Sequence, residues 1–209
     1  MKILVTAGPT REPIDAVRVL TNRSSGKMGY AVARAAVDRG HDVTLVSGPV
    51  GVEAPHAVEL ISVETAAEML KAVKEGFAAS DALVMTAAVA DWRPSNPETR
   101  KVKKHEAVTR INLERTEDIL ASLTGQKGER LIVGFAAETE NVVGEGERKL
   151  REKNMDLVVA NDVSREDIGF DADDNQVTFI THDAPPDSLP QMSKDELGER
   201  IVAWVEAHA

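Results

Sequence analysis

Residues 21–46, TNRSSGKMGYAVARAAVDRGHDVTLV, decide the fold class, because they place a helical pattern directly before a run that is typical of a buried strand. The helical pattern covers residues 26–38, and the strand-like run covers residues 42–46. Strands that are apolar at nearly every position are typical of parallel sheets covered on both faces. Together with the preceding apolar run at residues 2–6, this stretch predicts one strand–helix–strand unit.

The same alternation continues along the chain, with further strands and helices. Alternation of this kind implies right-handed crossovers and a doubly wound sheet. The sequence therefore predicts one α/β domain over residues 1–209, with a Rossmann-like, mostly parallel sheet. The further strands are predicted at residues 58–63, 82–86, 131–135 and 157–160, and the further helices at residues 66–78, 116–123 and 142–153.

Two segments interrupt this rhythm. Residues 90–113 follow a predicted strand but contain prolines and clustered basic side chains, and residues 163–190 contain GFDADDNQVTFI and a proline-rich region. Within the second segment, residues 176–180 are predicted to add an edge strand. Both segments are consistent with solvated loops. Long irregular connections at the carboxyl ends of strands are also where α/β sheets bind ligands.

Composition narrows the classes of protein. The chain of 209 residues has a net charge of −10, which argues against binding to nucleic acid or to a membrane surface. It contains no cysteine, which excludes disulfides, thiolate metal sites and a cysteine nucleophile. No apolar run reaches the roughly eighteen residues of a membrane span, and the first apolar run is too short for a signal peptide. We expect a soluble, cytoplasmic protein.

A glycine-bracketed helix start is the first candidate site. Gly26 and Lys27 suggest a phosphate-binding P-loop, but Thr21 and Met28 stand where that loop requires a glycine and a hydroxyl residue. The free N–H groups and the dipole of a helix start still favour an anion.

The residues around this helix start fit two interpretations. Ser24 or Ser25 can cap the helix or donate a hydroxyl to a phosphate, while Gly26 and Gly29 permit close approach and tight packing. The same residues are equally consistent with an ordinary capped helix whose glycines serve packing alone.

A dinucleotide site of the usual kind is disfavoured. Gly8 is followed by Pro9 and Thr10, so the glycine fingerprint is absent, and no acid follows the second strand to hold a ribose. The single tyrosine, Tyr30, is not followed by the lysine that a short-chain dehydrogenase requires. An NAD(P)-dependent oxidoreductase therefore remains only an alternative.

Other candidates follow the predicted strands. Asp91 comes after the strand at residues 82–86, where a carboxylate can hold a ribose hydroxyl or a metal ion, or can cap a turn. Lys101, Lys103 and Lys104 form the densest basic cluster of this acidic chain. Such a cluster is either a solvated face or a flexible cover over a polyphosphate.

A second group of candidates lies near the last predicted helix and strand. Lys149 and Lys153 share one helix face, where pairing with Glu145 would make them ordinary surface lysines. Asn161 and Asp162 end the strand that begins at residue 157, at the ligand edge of the sheet. Spacing alone thus predicts a nucleotide-binding α/β enzyme of unspecified reaction.

Seven ordered motifs give a more specific indication: AGPTREPIDAVR, NRSSGKMGYAVA, TLVSGPV, TAAVADWRP, KVKK, VGFAAET and ANDVS. In this order they resemble the phosphopantothenate–cysteine ligase family of coenzyme A biosynthesis. The resemblance implies that the 4′-phosphopantothenate carboxylate attacks the α-phosphate of CTP, with Mg²⁺, and releases pyrophosphate. The cysteine amine then displaces CMP from the acyl-cytidylate. Eukaryotic members favour ATP, whereas the segments NRSSGKMG and AVAD favour CTP here.

The resemblance also implies roles for individual residues. Asn22 matches the asparagine that handles the acyl-cytidylate, Arg18 an arginine of the second half-reaction, and Lys101 a lysine that contacts the triphosphate in the first. Asn22, Arg18 and Asn161 are the candidates for substrate binding, and Asp91 is a candidate for the metal. The candidates for nucleotide binding are Gly8, Ser24, Ser25, Gly26, Lys27, Ala88, Asp91, Lys101, Asp118, Ile119, Phe135, Lys149 and Lys153.

Partners follow from the same resemblance. Residues 92–113 would form a basic strap that reaches across a homodimer, so that the subunits share their active sites. Many bacterial members are fused to a flavin-dependent decarboxylase, which makes this chain either a stand-alone ligase or an excised domain. No flavin is expected in this chain. A non-catalytic nucleotide-binding module stays open as an alternative to the ligase.

Overall fold

A computed structural model describes residues 1–103, 110–162 and 174–209. Its strands, in chain order, are β1 (Lys2–Ala7), β2 (Arg11–Pro13), β3 (Val19–Thr21), β4 (Asp42–Ser47), β5 (Val58–Ser62), β6 (Ala82–Met85), β7 (Trp92–Pro94), β8 (Leu113–Arg115), β9 (Leu131–Glu138), β10 (Leu157–Asp162), β11 (Asp174–Asn175), β12 (Val177–Ile180), β13 (Asp187–Ser188) and β14 (Met192–Ser193). The α-helices are α1 (Lys27–Asp38), α2 (Ala66–Phe77), α3 (Ile119–Leu123), α4 (Val142–Glu152) and α5 (Lys194–His208). A 3₁₀ turn, Thr124–Gln126, follows α3.

Eight strands form the central sheet in the order β13-β12-β10-β9-β6-β1-β4-β5. The six strands from β10 to β5 pair in parallel, and β12 joins β10 in the antiparallel direction. The prediction of a Rossmann-like, mostly parallel sheet is therefore confirmed. None of the helices in the described ranges combines the length and apolar character that a membrane span requires.

The two faces of the sheet bury separate apolar layers, because successive side chains of a strand point to opposite faces. Ile3 and Val5 of β1 belong to the layer that contains α1 and α5. Leu4, between them, belongs to the layer that contains α2, α3 and α4. Helices on both faces explain why the parallel strands are apolar at nearly every position.

Three details differ from the sequence predictions. The helix expected at residues 116–123 begins only at Ile119, because the side chain of Asp118 accepts from the N–H of Ala121 and caps it there. The strand expected at the edge, β12, has β13 beside it and is not the outermost strand. The C-terminal helix α5, which no sequence pattern had indicated, packs along α1.

The strap predicted at residues 92–113 begins and ends as a two-stranded ribbon. Trp92, Arg93 and Pro94 of β7 pair antiparallel with β8, and the ribbon lies apart from the central sheet. Lys104 and residues 105–109 lie outside the described residues, as do residues 163–173.

Replacement of Gly29 by alanine is expected to lower the free energy of unfolding by about 1–3 kcal/mol, because the core there has no room for a methyl group. The added β-carbon would lie 2.5 Å from Cβ of Ala7, 2.5 Å from Oγ1 of Thr86 and 2.8 Å from the carbonyl oxygen of Thr6. Urea denaturation would measure the change. Gly51→Ala is the matched control, since no heavy atom lies within 4 Å of that position. Equal stability of the two variants would contradict this account of how α1 packs on the sheet.

Candidate active site

A cleft of about 730 Å³ opens at the carboxyl edge of the central sheet. It is lined by the segment after β6, the ends of β9 and β10, and the first turn of α1. The winding of the chain reverses between β1 and β6, because β4 and β5 lie on one side of β1 while β6, β9 and β10 lie on the other. Open α/β sheets bind ligands at such a switch point, and the cleft has the size of a small-molecule site.

The start of α1 forms one wall of this cleft. Gly26 is the N-cap residue in the left-handed region, with φ of +77°, and no side chain caps the helix, so the prediction that Ser24 or Ser25 does so is wrong. A β-carbon at Gly26 would lie 2.7 Å from Cγ1 of Val50 and 3.3 Å from Cα of Gly8. Glycine is therefore required at this turn. A first turn without a side-chain cap suits an anion, since no capping side chain competes for its N–H groups.

Asn22 stands just before this helix start and is tied to the opposite wall. Its Nδ2 donates to the carbonyl oxygens of Ala88 and Val89, at 3.2 and 3.1 Å. An amide nitrogen carries two hydrogens, so both of them are directed at main-chain acceptors. The side chain is thus held across the cleft between α1 and the segment after β6.

Asp118 and Lys153 form an ion pair on the other side of the cleft, with 2.9 Å between Oδ2 and Nζ. Burial opposes ionisation of Asp118, but the N–H of Ala121 and the ammonium of Lys153 outweigh it and hold the pKa of Asp118 below its ordinary value. Both side chains line the cleft. The carboxylate is therefore ionised at neutral pH and fixes the position of the lysine.

Lys149 faces a different partner from the one that helix spacing had suggested. Its Nζ lies 2.5 Å from a carboxylate oxygen of Glu138 at the end of β9. Glu145 instead pairs with Arg148, at 2.7 Å. Pairing of Lys149 and Lys153 with Glu145 is therefore wrong, because both lysines turn towards the strand ends and the start of α3.

The segment after β6 is fixed by the residues that follow β8. The N–H of Thr116 donates to the carbonyl oxygen of Asp91 at 3.0 Å, and Oγ1 of Thr116 donates to the carbonyl oxygen of Ala90 at 2.6 Å. Asp91 itself is exposed and lines the cleft, and half-buried Phe135 of β9 lines it from the sheet, packed against the apolar layer of α1 and α5. A carboxylate and an aromatic ring thus border the same cleft.

A family model described as the C-terminal domain of the DNA/pantothenate metabolism flavoprotein matches residues 1–208. The chain belongs to this family. It is 46% identical over 206 residues to the coenzyme A biosynthesis bifunctional protein CoaBC of Bacillus subtilis, covering 98% of this chain and 51% of that protein. The chain therefore spans about half the length of the curated relatives that it matches.

Solved structures agree with this family membership. The resemblance that the sequence motifs indicated is therefore confirmed. The crystal structure of the C-terminal domain of CoaBC is 44% identical, with a TM-score of 0.84, and the match covers 99% of this chain and 94% of that one. A mutant of Cab2 in complex with phosphopantothenate-cysteine is 17% identical, with a TM-score of 0.77, over 99% of this chain and 85% of that one. The second likeness shows the shared fold alone.

The cleft of this family member collects most of the residues that the sequence had indicated. The exceptions are Gly8, which packs beneath Gly26, Lys149, which pairs with Glu138, and Arg18 and Lys101, which do not line the cleft. The predicted residues that line it are Asn22, Ser24, Ser25, Gly26, Lys27, Ala88, Asp91, Asp118, Ile119, Phe135, Lys153 and Asn161.

Arg18 and the first described part of the strap are joined by Asp15. The side chain of Asp15 is buried, forms an ion pair with the guanidinium of Arg18, and accepts from the N–H of Val102 at 3.1 Å. The guanidinium of Arg18 holds the pKa of Asp15 well below its ordinary value. Asp15 therefore places Arg18 beside the exposed Lys101, in a second cluster outside the cleft.

Sequence reasoning missed several polar residues, among them Asp15, Asn175 and Lys194. Asp15 carried a signal, because it precedes Arg18 by three residues in the motif AGPTREPIDAVR. Asn175 and Lys194 line the cleft from the C-terminal part of the chain and carried none. Asn175 reaches the site because β11 lies beside the end of β10, and Lys194 reaches it because α5 packs along α1.

Proposed function

We propose that this chain is a ligase that joins 4′-phosphopantothenate to L-cysteine through an acyl-cytidylate, using CTP and releasing pyrophosphate and then CMP. One observation carries the proposal: Asn22 stands at an uncapped helix start inside a switch-point cleft, in a member of this family. We also propose that the protein is cytoplasmic and that its Rossmann-like sheet binds the nucleotide.

The nucleotide would lie across the cleft. Asp91, Asp118, Ile119, Phe135 and Lys153 line one side and would hold the base and the ribose. Their mutual contacts support this, because Lys153 and Asp118 are already fixed by each other at 2.9 Å. Lys149 would act from outside the cleft, by fixing the position of Glu138 at the end of β9.

The phosphates would lie against the start of α1. Ser24, Ser25, Gly26 and Lys27 line that wall, where N–H groups and the helix dipole favour negative charge. Gly8 and Ala88 would support the same wall, the first by packing beneath Gly26 and the second by accepting from Asn22. Local stabilisation of this kind is needed, because the whole chain carries a net charge of −10.

The reaction needs two steps, because the carboxylate of phosphopantothenate must gain a leaving group before an amine can react with it. A carboxylate oxygen forms a bond to the α-phosphorus, the bond to the pyrophosphate oxygen breaks, and pyrophosphate departs with the electron pair. The amine of cysteine then forms a bond to the acyl carbon, and CMP departs. Preorganised donors around the phosphates and the acyl oxygen would stabilise the charge that develops in both steps.

The residues of the cleft fit a bound Mg²⁺. In the described ranges no three acidic or histidine side chains cluster as a metal site. Mg²⁺ needs fewer protein ligands, since one or two carboxylates together with phosphate oxygens suffice. Asp91, exposed at the cleft, would hold it, and the ion would neutralise charge on the triphosphate.

Arg18 and Lys101 would serve the cleft of a second subunit in a homodimer. Exposed apolar side chains next to Arg18 and on the strap support such a partner: Val17 is 63% exposed, Trp92 44% and Ile111 47%. The flavin decarboxylase implied by the relatives would be a fused half or a separate partner, and any flavin would belong to it. This part of the proposal is supported by the 51% share of CoaBC that the chain spans.

Pyrophosphate release tests the proposal directly. Purified protein would receive Mg²⁺ and phosphopantothenate, with CTP or ATP in parallel, with and without cysteine. We expect pyrophosphate with CTP, and CMP only after cysteine is added. Faster pyrophosphate release with ATP than with CTP would identify ATP as the nucleotide substrate. A folded protein that binds CTP but releases nothing would instead be a non-catalytic nucleotide-binding module.

A further inference from the structure

A polar corner, formed by Asn161, Asn175 and Lys194, closes the end of the cleft that lies towards α5. All three residues line the cleft, yet only 9%, 5% and 7% of their surfaces are exposed. Asn161 is the last residue but one of β10, Asn175 lies in β11, and Lys194 begins α5. The corner is therefore assembled from three separate segments and is nearly closed to solvent.

The amide of Asn161 is only half satisfied. Its Nδ2 donates to Oδ1 of Asn175 at 3.2 Å, which leaves Oδ1 of Asn161 as the acceptor. Oδ1 of Asn161 is buried and has no hydrogen-bond partner among the residues that the structure describes. Buried polar atoms in native proteins are nearly always paired, so an unpaired acceptor that borders a cleft indicates a ligand with an N–H or O–H donor.

Lys194 brings a positive charge to the same corner. A capping box at the start of α5 fixes its backbone, because Ser193 and Glu196 exchange hydrogen bonds there. Helix α5 runs beside α1, since Arg34 and Asp195 pair at 2.8 Å, and a β-carbon at Gly198 would lie 2.9 Å from the backbone of α1. Two helix starts therefore meet at the cleft, and their dipoles add to the charge of the lysine in favouring an anionic group.

We propose that this corner binds the amino acid substrate. The ligand must offer a donor to Asn161 and an anion to Lys194 within a small volume, and an α-amino acid carries an amino group and a carboxylate on adjacent carbons. Oδ1 of Asn161 accepts an N–H of the amino group, and the ammonium of Lys194 binds the carboxylate. The amine lone pair forms the bond to the acyl carbon, the cytidylate oxygen leaves with its electron pair, and the surplus protons go to water.

The inference rests on the proposed ligase and adds the location of one substrate. The nucleotide occupies the opposite end of the cleft, beside Asp118 and Lys153, so the corner remains for the second acceptor of the reaction. Asn161 is neutral and acts by orienting the amine, while Lys194 selects an acceptor that has a carboxylate.

The experiment compares cysteine with cysteamine, which lacks the carboxylate. With wild-type protein, kcat/KM measured by CMP release is expected to be about 10- to 100-fold higher for cysteine, the usual range for a charge-assisted pair. Lys194→Met should remove that preference by lowering the value for cysteine alone. Asn161→Leu should raise the KM of both amines, because both carry the amino group.

Lys127→Met is the matched control. Lys127 is a part-buried lysine that pairs with Asp156 at 2.7 Å outside the cleft, and its loss should leave the preference for cysteine intact. Equal rates for the two amines in wild-type protein, or an equal fall for both in Lys194→Met, would overturn the assignment while leaving the ligase in place. Absence of pyrophosphate release in wild-type protein would overturn the ligase itself, and the corner with it.

Discussion

Asn22→Ala is expected to stop the reaction halfway, with pyrophosphate released at a near-normal rate and CMP release slowed by about 100- to 1,000-fold, the usual effect of removing one preorganised donor. Asn22 stands between the start of α1 and the segment after β6, where the acyl-cytidylate would lie. Its two amide hydrogens are directed at the carbonyl oxygens of Ala88 and Val89. One of these hydrogens would turn to the acyl oxygen when the intermediate forms.

The separate measurement of pyrophosphate and CMP makes this prediction specific. A variant that had lost its fold, or the position of the segment after β6, would lose both products together. Retained pyrophosphate release would therefore act as an internal control for the integrity of the nucleotide site. Full turnover by Asn22→Ala at the wild-type rate would remove Asn22 from the mechanism.

Local patterns were sufficient to predict the sheet, because a parallel strand inside the sheet is apolar on both faces. The run at residues 42–46 has this property, and β4 (Asp42–Ser47) is found there. The same reasoning placed α1 but gave it the wrong cap, since the left-handed conformation of Gly26 depends on Val50 and Gly8. Those contacts cross between segments, and no window of sequence around residue 26 contains them.

Part of the site was predictable from position along the chain and part from motifs. Asp91 came from its place after a predicted strand, Lys153 from helix spacing and Asp118 from the resemblance, and all three line the cleft. Lys194 could not be found in this way, because its place in the cleft depends on α5 packing against α1. A lysine at the start of a C-terminal helix has no distinguishing pattern when it is read along the chain.

Lys101→Gln is expected to reduce pyrophosphate release itself by about 100- to 1,000-fold, because a cation over the triphosphate would stabilise the charge of the departing pyrophosphate. Lys101 is exposed beside the Asp15–Arg18 pair and does not line the cleft. Lys71→Gln, an exposed lysine on α2, changes the net charge equally and should have no effect.

A mixture of Lys101→Gln and Asn22→Ala subunits would decide whether Lys101 acts across the dimer. If it does, each mixed dimer contains one site with both native residues and one with neither. Random pairing in equal amounts should then restore about a quarter of the wild-type turnover, since half of the dimers are mixed and each has one intact site. If Lys101 acts within its own subunit, every site keeps a lesion and no turnover returns. Activity that stays absent in verified mixed dimers would therefore exclude the shared site, because a shared site requires each mixed dimer to contain one site with both native residues.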